Sequence, residues 1–161
     1  MDVKARKCAA IVGAGLIGRA WAMVFARAGW SVRITDSAPS QLEVARDLIA
    51  RSLAEQEQAG LADDARAAVA RIEISAGLAD AVAGVAWVQE NLPEEVEIKR
   101  AVFAELDRLA PAEAILASST SAIVASLFTA ELAGRARCRC SRHGCGSGCA
   151  GAAGGSPCPR A

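Results

Sequence analysis

Residues 8–18 read CAAIVGAGLIG, an apolar run that leads directly into a glycine-rich turn of the form G-x-G-x-x-G. A helix-forming stretch follows at residues 19–28, and residues 30–35 have the composition of a second short strand. A glycine-rich hexamer alone is weak evidence, because such hexamers also occur in unrelated loops. In this order of strand, tight turn, helix and strand, it predicts the first βαβ unit of a dinucleotide-binding fold.

Each glycine of this turn has a separate task in such a fold. Gly13 allows the tight turn, Gly15 lacks the Cβ that would block a pyrophosphate, and Gly18 lets the helix pack closely on the strand. The helix N-terminus offers N–H groups and a positive dipole end to the phosphates. Asp36, 18 residues after Gly18, is placed to accept hydrogen bonds from ribose hydroxyls and to repel a 2′-phosphate. The expected cofactor is therefore NAD rather than NADP.

The composition is typical of one globular domain without a strong net charge. The 161 residues are 53% hydrophobic, and the 18 basic and 18 acidic residues cancel. We therefore expect no nucleic-acid partner and no membrane partner, and the interrupted apolar runs are too short to span a bilayer. Residues 1–7 are polar and lead straight into the first strand, which leaves no room for a signal peptide. A cytoplasmic location is expected.

Short apolar runs alternate with helical patterns as far as residue 138. This alternation predicts an α/β fold with a Rossmann-like, doubly wound and mostly parallel sheet. Beyond the first unit, the predicted helices are 39–59, 63–70, 94–109 and 123–133, and the predicted strands are 71–74, 85–88 and 114–117.

Three glycine-rich or polar segments should meet where the strands end, because open α/β sheets bind ligands at the carboxyl ends of their strands. They are residues 13–18, 89–93 and 118–121. On spacing alone, Glu94 fits a favourable acid in the first turn of a helix, and Lys99 fits a solvated helical lysine. The hydroxyl residues of the third segment likewise fit a polar turn with a helix cap.

Three motifs, in order and at family-like spacing, resemble the L-3-hydroxyacyl-CoA dehydrogenase superfamily. They are IVGAGLIGRAWAMVFA at residues 11–26, VQENLPE at 88–94 and ASSTS at 117–121. The likeness runs through residues 7–138 and is nearest to the lambda-crystallin branch, which includes L-gulonate 3-dehydrogenase. It implies an NAD-dependent oxidoreductase that exchanges a hydride with the 3-hydroxy group of a small molecule, either a hydroxyacyl-CoA or a hydroxy or sugar acid. It also implies a dimer for full-length members.

The resemblance further implies roles for individual residues. Leu16 and Ile17 would contact the pyrophosphate through their backbone, while Glu94 and Lys99 match an acid and a lysine near the nicotinamide half of NAD. Ser121 matches the serine that hydrogen-bonds near the reacting hydroxyl, and it is the one residue assigned to the catalytic region. The expected cofactor-binding residues are Gly13, Gly15, Leu16, Ile17, Gly18, Asp36, Glu94 and Lys99.

The likeness breaks after Cys138. Family members continue with a strand and the segment His-Pro-x-Asn-Pro-Pro, whose histidine is the general base that takes the alcohol proton as hydride leaves. The only histidine here, His143, stands one position late and lacks the proline and asparagine neighbours, so the base role is not carried over to it. We expect an incomplete NAD-binding domain at residues 1–138, truncated before its last strands and without the helical substrate domain. Its fifth strand, 114–117, would be an exposed apolar edge that favours aggregation.

Residues 139–161 consist almost entirely of Arg, Cys, Gly, Ala, Ser and Pro, as expected when GC-rich coding DNA is read in a wrong frame. The alternative is a metal site without the paired C-x₂-C spacing of zinc sites, and its ligands would be Cys138, Cys140, His143, Cys145 and Cys149. The glycines and prolines oppose both helix and strand, which predicts a disordered tail. The thiols from Cys138 to Cys158 should then react readily with thiol reagents.

Two functions follow from these observations. The first is the NAD-binding portion of an oxidoreductase that acts on a 3-hydroxy group, inactive in this form because the general base is missing. The second is a non-catalytic NAD-binding or structural protein of the crystallin kind. A metal-binding regulator that works through the tail is a third hypothesis.

Overall fold

The structure is a computed structural model that describes residues 7–140. Its strands are β1 (Cys8–Val12), β2 (Ser31–Thr35), β3 (Ile72–Ile74), β4 (Trp87–Glu90), β5 (Ile115–Ser118) and β6 (Cys138–Cys140). Its helices are α1 (Leu16–Arg27), α2 (Pro39–Gln58), α3 (Ala65–Ala70), α4 (Leu78–Val82), α5 (Val96–Leu109) and α6 (Ser126–Thr129). The six strands form one parallel sheet in the order β3-β2-β1-β4-β5-β6, which confirms the predicted Rossmann-like fold.

Each face of the sheet has its own hydrophobic core, because successive residues of a strand point to opposite faces. Val12 belongs to the core that contains Phe103 of α5 and Phe128 of α6, whose ring centroids lie 4.8 Å apart. Ile11 belongs to the other core, with Ile49 of α2 and residues of α1 and α3. Burial on both faces explains why β1 is an uninterrupted apolar run rather than an alternating one.

The register places the ends of the central strands at one edge. Val12 pairs with Thr35 on one side and with Glu90 on the other, and Glu90 pairs with Ser118. The segments that follow β1, β2, β4 and β5 therefore leave the sheet side by side. This confirms that the three predicted segments meet at the carboxyl edge.

The predicted helix at 123–133 is wrong in extent, because only Ser126–Thr129 is α-helical. Ile123 N–H is held by the Glu94 carboxylate and the Thr120 hydroxyl, and Gly134 N–H is held by Asp107. These hydrogen bonds fix both flanks in turns. The short helix α4 was not predicted, since five residues give too little periodicity to recognise.

The prediction that β5 is an exposed edge is wrong, because β6 pairs with it in parallel, with Leu116 opposite Cys138. Arg137 anchors the start of β6. Its guanidinium lies 2.9 Å from the Asp107 carboxylate and also donates to the backbone carbonyls of Asp107 and Pro111. The sheet therefore continues two residues beyond the predicted boundary at 138, into the segment assigned to the tail.

The exposed position from which the reactivity of the Cys138 thiol was predicted is wrong. Its half-buried side chain packs against the core, and desolvation, followed by the charge of Asp107, raises its pKa to about 11. Little thiolate is then present at neutral pH, and the thiolate is the reactive form. The predicted disorder of residues 139–161 is wrong at residues 139 and 140, which belong to β6. The rest of that prediction lies outside the described residues, as do His143, Cys145 and Cys149 of the predicted metal site.

Within residues 7–140, no three side chains of the metal-binding types come together as a possible metal site. No helix in this same part of the chain combines the length and apolar character needed to cross a bilayer.

Candidate functional site: the carboxyl edge of the sheet

The glycine turn has the shape that the sequence predicts. Gly13 has a backbone φ of +98°, which residues with a side chain rarely adopt. A Cβ at this position would lie 2.9 Å from the backbone oxygen of Asn91. At Gly18 a Cβ would overlap the carbonyl oxygen of Gly13, so the helix can approach the turn only without a side chain. At Gly15 a Cβ would meet nothing within 4 Å. The first and third glycines are thus required by the protein itself, while the second faces open space.

The N-terminus of α1 is suited to an anion. Gly15 is its N-cap and provides no capping side chain, and the first turn contains no acidic residue. Leu16 and Ile17 are largely exposed, at 75% and 52% of their surface, so their side chains are not part of the hydrophobic core. Unsatisfied N–H groups at the start of a helix bind phosphates well. The open space at Gly15 and this helix end together fit the pyrophosphate of a dinucleotide.

Asp36 follows β2 and faces the glycine turn. Its Oδ2 accepts a hydrogen bond of 2.7 Å from Ala14 N–H, and its Oδ1 accepts one of 2.8 Å from Ala38 N–H. These bonds fix the carboxylate beside the turn, at the place expected for a ribose ligand. A carboxylate has about four acceptor positions, so it can also accept hydrogen bonds from sugar hydroxyls.

Glu94 organises the turn that follows β5. Its Oε1 accepts hydrogen bonds from Thr120 Oγ1 and from the backbone N–H groups of Ser121 and Ala122, the latter two at 3.0 and 2.9 Å. Desolvation alone would raise its pKa, but these hydrogen bonds and the charge of Lys99 lower it to about 2. The side chain remains 39% exposed, so an ionised carboxylate faces the edge where the strands end.

The low pKa of Glu94 predicts an acid-sensitive contribution to stability. A carboxyl with a pKa of about 2 when folded and 4.5 when unfolded stabilises the fold above pH 4.5, and this stabilisation is lost as the pH falls towards 2. We expect urea midpoints of the wild type to exceed those of Glu94→Gln above pH 4.5, with the gap closing as the pH approaches 2. Asp107, whose pKa is also lowered, is present in both proteins, so its contribution to the pH dependence cancels in the comparison. A gap that does not change with pH would contradict this interpretation.

Lys99 is buried, contrary to the solvated position that its spacing alone suggested. Only 1% of its side chain is exposed, and its Nζ lies 3.0 Å from Glu90 Oε1 and 3.6 Å from Glu94 Oε2. Glu90, the last residue of β4, is completely buried and was not predicted as a site residue. An acid two residues after the apolar run 85–88 is the signal that could have identified it, since a carboxylate that ends a buried strand needs a partner.

Ser121 lies at this edge and is exposed, with its backbone N–H bound to Glu94. Ser119, two residues before Ser121, was also not predicted as a site residue. Its hydroxyl donates to Asn91 Oδ1 at 2.6 Å and accepts hydrogen bonds from Trp21 Nε1 and Gln89 Nε2. Ser119 thus connects α1, β4 and the turn after β5. The structure therefore brings Glu94, Lys99 and Ser121 together, at the same edge of the sheet as the glycine turn and Asp36.

Comparison with known proteins agrees with this geometry. The sequence profile of the 3-hydroxyacyl-CoA dehydrogenase NAD-binding domain matches residues 8–143. The chain is 39% identical to the lambda-crystallin homolog of Rattus norvegicus over 123 residues, which are 74% of this chain and 39% of that protein. It is 40% identical to L-carnitine dehydrogenase of Streptomyces griseus over 120 residues, which are 74% of this chain and 34% of that protein.

The fold also matches solved dehydrogenase structures. The 3-hydroxybutyryl-CoA dehydrogenase of Escherichia coli superposes with a TM-score of 0.76 at 26% identity, over 81% of this chain and 28% of that one. The chain spans less than two fifths of the length of these two curated relatives. The matched profile covers the glycine turn, Glu94 and the turn after β5, so the resemblance seen in the sequence is confirmed. The chain belongs to the 3-hydroxyacyl-CoA dehydrogenase family, of which it carries the NAD-binding domain.

Proposed function

We propose that NAD binds along the carboxyl edge of the sheet, with its pyrophosphate on the glycine turn. The observation that carries the proposal is the open space at Gly15 in front of the uncapped N-terminus of α1. The backbone of Leu16 and Ile17 would hold the pyrophosphate together with Gly13, Gly15 and Gly18. Asp36 would bind the adenosine ribose, and Glu94, backed by Lys99, would lie by the nicotinamide half.

The reaction we propose for the family site is oxidation or reduction at the 3-hydroxy carbon of a hydroxyacyl-CoA or of a hydroxy or sugar acid. NAD, when bound, supplies a hydride acceptor. The chain's own residues would bind and orient it, and Ser121, whose backbone N–H is bound to Glu94, would hydrogen-bond near the reacting hydroxyl. Partners in this proposal are the small-molecule substrate and, for full-length members, a second copy. The location is cytoplasmic, and the balanced charge supports the absence of a nucleic-acid partner.

Cofactor preference tests the site directly. Because Asp36 is fixed beside the glycine turn, its charge should oppose a 2′-phosphate, and the wild type should bind NAD about tenfold or more tightly than NADP. Asp36→Asn keeps an oxygen that can accept a hydrogen bond from Ala14 N–H but removes the charge. It should therefore lower the ratio of NAD affinity to NADP affinity. Asp47→Ala, on the exposed side of α2, removes an equal charge and should leave the ratio unchanged. Titration by calorimetry gives the six affinities needed, two for each of the three proteins, and equal wild-type affinities for NAD and NADP would refute the assignment of Asp36.

We further propose that this 161-residue chain does not turn over substrate, because the His-Pro-x-Asn-Pro-Pro segment is not in its sequence. Loss of general-base catalysis costs about 10²–10⁴ in rate. With NAD and 3-hydroxybutyryl-CoA, L-gulonate or L-carnitine, we expect no NADH absorbance above the enzyme-free rate. Production of NADH that His143→Ala removes would show that His143 is the base after all.

The second candidate is a non-catalytic NAD-binding or structural protein, which the similarity to a lambda-crystallin homolog favours. The two functions differ in what a longer chain does. If residues 1–138 are joined to the histidine segment and the following domain of a family member, the oxidoreductase hypothesis predicts NADH formation. A joined chain that binds NAD and oxidises none of the three substrates would support the structural role.

A further inference from the structure

Glu90 is a fully buried carboxylate directly beneath the proposed cofactor site. Its Oε1 accepts hydrogen bonds from Leu92 N–H at 2.6 Å and from Lys99 Nζ at 3.0 Å. Its Oε2 accepts from Ser118 Oγ at 2.5 Å and from the same Nζ at 3.1 Å. These four bonds fill the acceptor positions of a carboxylate, so Glu90 has none left for a ligand. Any effect of Glu90 on the site must therefore act through its hydrogen-bond partners.

The main partner is Lys99, which is as inaccessible as Glu90. Its ammonium group lies 3.0 Å from Glu90 Oε1, 3.4 Å from the backbone oxygen of Leu92 and 3.6 Å from Glu94 Oε2. The shorter distances are those to Glu90. The lysine is therefore held mainly by Glu90 and only secondarily by Glu94.

This arrangement keeps Glu94 on the turn after β5. With Lys99 engaged by Glu90, Glu94 Oε1 stays bound to Thr120 and to the N–H groups of Ser121 and Ala122. If Glu90 lost its charge, Glu94 would be the one carboxylate within 4 Å of this buried ammonium group among the described residues. A buried charge without a partner is strongly unfavourable, so the lysine would be drawn towards Glu94 and would pull it off the turn.

Glu90 also acts on the other wall of the crevice. By binding Leu92 N–H it fixes the peptide that follows Asn91, and the backbone oxygen of Asn91 lies against Gly13, where a Cβ would be 2.9 Å away. The same carboxylate therefore supports the loop beside the glycine turn and, through Lys99, the turn that carries Ser121.

We propose that Glu90 is a positioning residue for NAD, which holds Lys99 so that Glu94 and the Ser121 turn keep their binding geometry. The inference rests on the proposed cofactor site. It assigns a function to the one buried carboxylate at this edge among residues 7–140, a function that two apolar side chains in its place would not provide.

The test compares the wild type with Glu90→Gln and with Glu90→Gln/Lys99→Met, by NAD titration and by amide hydrogen exchange. Folded Glu90→Gln should bind NAD about tenfold more weakly, the loss expected for one charge-assisted contact, and the amides of residues 121–123 should exchange faster. In the double variant no ammonium group remains to draw Glu94 away, so exchange at 121–123 should return to the wild-type rate. Glu105→Gln, on the exposed side of α5, is the matched control and should change neither quantity.

Several results would overturn the proposal. One is an NAD affinity of Glu90→Gln within about twofold of that of the wild type. If the Glu90–Lys99 pair only stabilised the fold, its loss would lower the unfolding midpoint but not the NAD affinity of the folded protein. Another is fast exchange at 121–123 in the double variant, which would show a route other than Lys99. If Glu90→Gln does not fold, Glu90→Asp is compared with the wild type by the same two measurements. This variant keeps the charge but has a shorter side chain. Failure of the wild type itself to bind NAD would instead refute the proposed function.

Discussion

Gly15→Val should abolish NAD binding and leave the fold intact. A Cβ at Gly15 meets no protein atom within 4 Å, and the residue has extended backbone angles (φ −65°, ψ −171°) that valine adopts readily. The two added methyl groups would instead occupy the space assigned to the pyrophosphate. We expect the affinity for NAD to fall by at least about a hundredfold in a calorimetric titration.

Gly77→Val is the matched control for this substitution. Gly77 is the N-cap of α4, also has extended backbone angles and also has no atom within 4 Å of a Cβ position. Both variants should have urea midpoints close to that of the wild type, whereas only Gly15→Val should lose NAD binding. A folded Gly15→Val protein with wild-type affinity would mean that the pyrophosphate lies elsewhere.

Gly18→Val should destroy the fold rather than the binding site alone. A Cβ at Gly18 would overlap the carbonyl oxygen of Gly13 and approach the side chain of Ile11 to 3.4 Å. These atoms belong to the turn and the central strand, so relief of the overlap requires α1 to move off the sheet. We expect a loss of about 3 kcal/mol or more of unfolding free energy, read as a large fall in urea midpoint.

The valine at position 15 provides the comparison, because it adds the same side chain three residues earlier and meets no protein atom. A Gly18→Val protein that unfolds at the same urea concentration as Gly15→Val would contradict the close packing of α1 on β1. The pair of variants thus separates the glycine needed for the ligand from the glycine needed for the fold.

The first βαβ unit was predictable because its signals are local. The turn at Gly13 requires a backbone that only glycine adopts easily, and the apolar run before it is as long as a buried parallel strand. Once a sheet is wound from such units, its ligand edge is fixed by chain direction. The residues that follow β1, β4 and β5 could therefore be assigned to one site before any contact was known.

The partners of Glu94 could not be derived from spacing. The residues that it binds at the turn lie 26 to 29 positions further along the chain, and only the parallel pairing of β4 with β5 brings them within hydrogen-bond distance. The resemblance to a family placed Glu94 and Lys99 near the cofactor. It did not reveal that Lys99 is buried against Glu90.

The last strand of the sheet, β6, also could not be predicted from the sequence. The composition after residue 138 predicted an exposed β5, yet Arg137 binds Asp107 and directs the chain back to the sheet as β6. An arginine and an aspartate 30 residues apart give no sign of pairing in the sequence. Whether an apolar edge is covered depends on such a distant contact.

The sequence by itself determined the fold class and the cofactor, and it predicted the edge of the sheet where we propose that the cofactor binds, because glycine geometry, strand burial and chain direction act over a few neighbouring residues. Only the tertiary structure decided which charges are buried and what they hold. Burial and pairing depend on atoms from strands distant in sequence, as in the Glu90–Lys99–Glu94 cluster at the ends of β4 and β5.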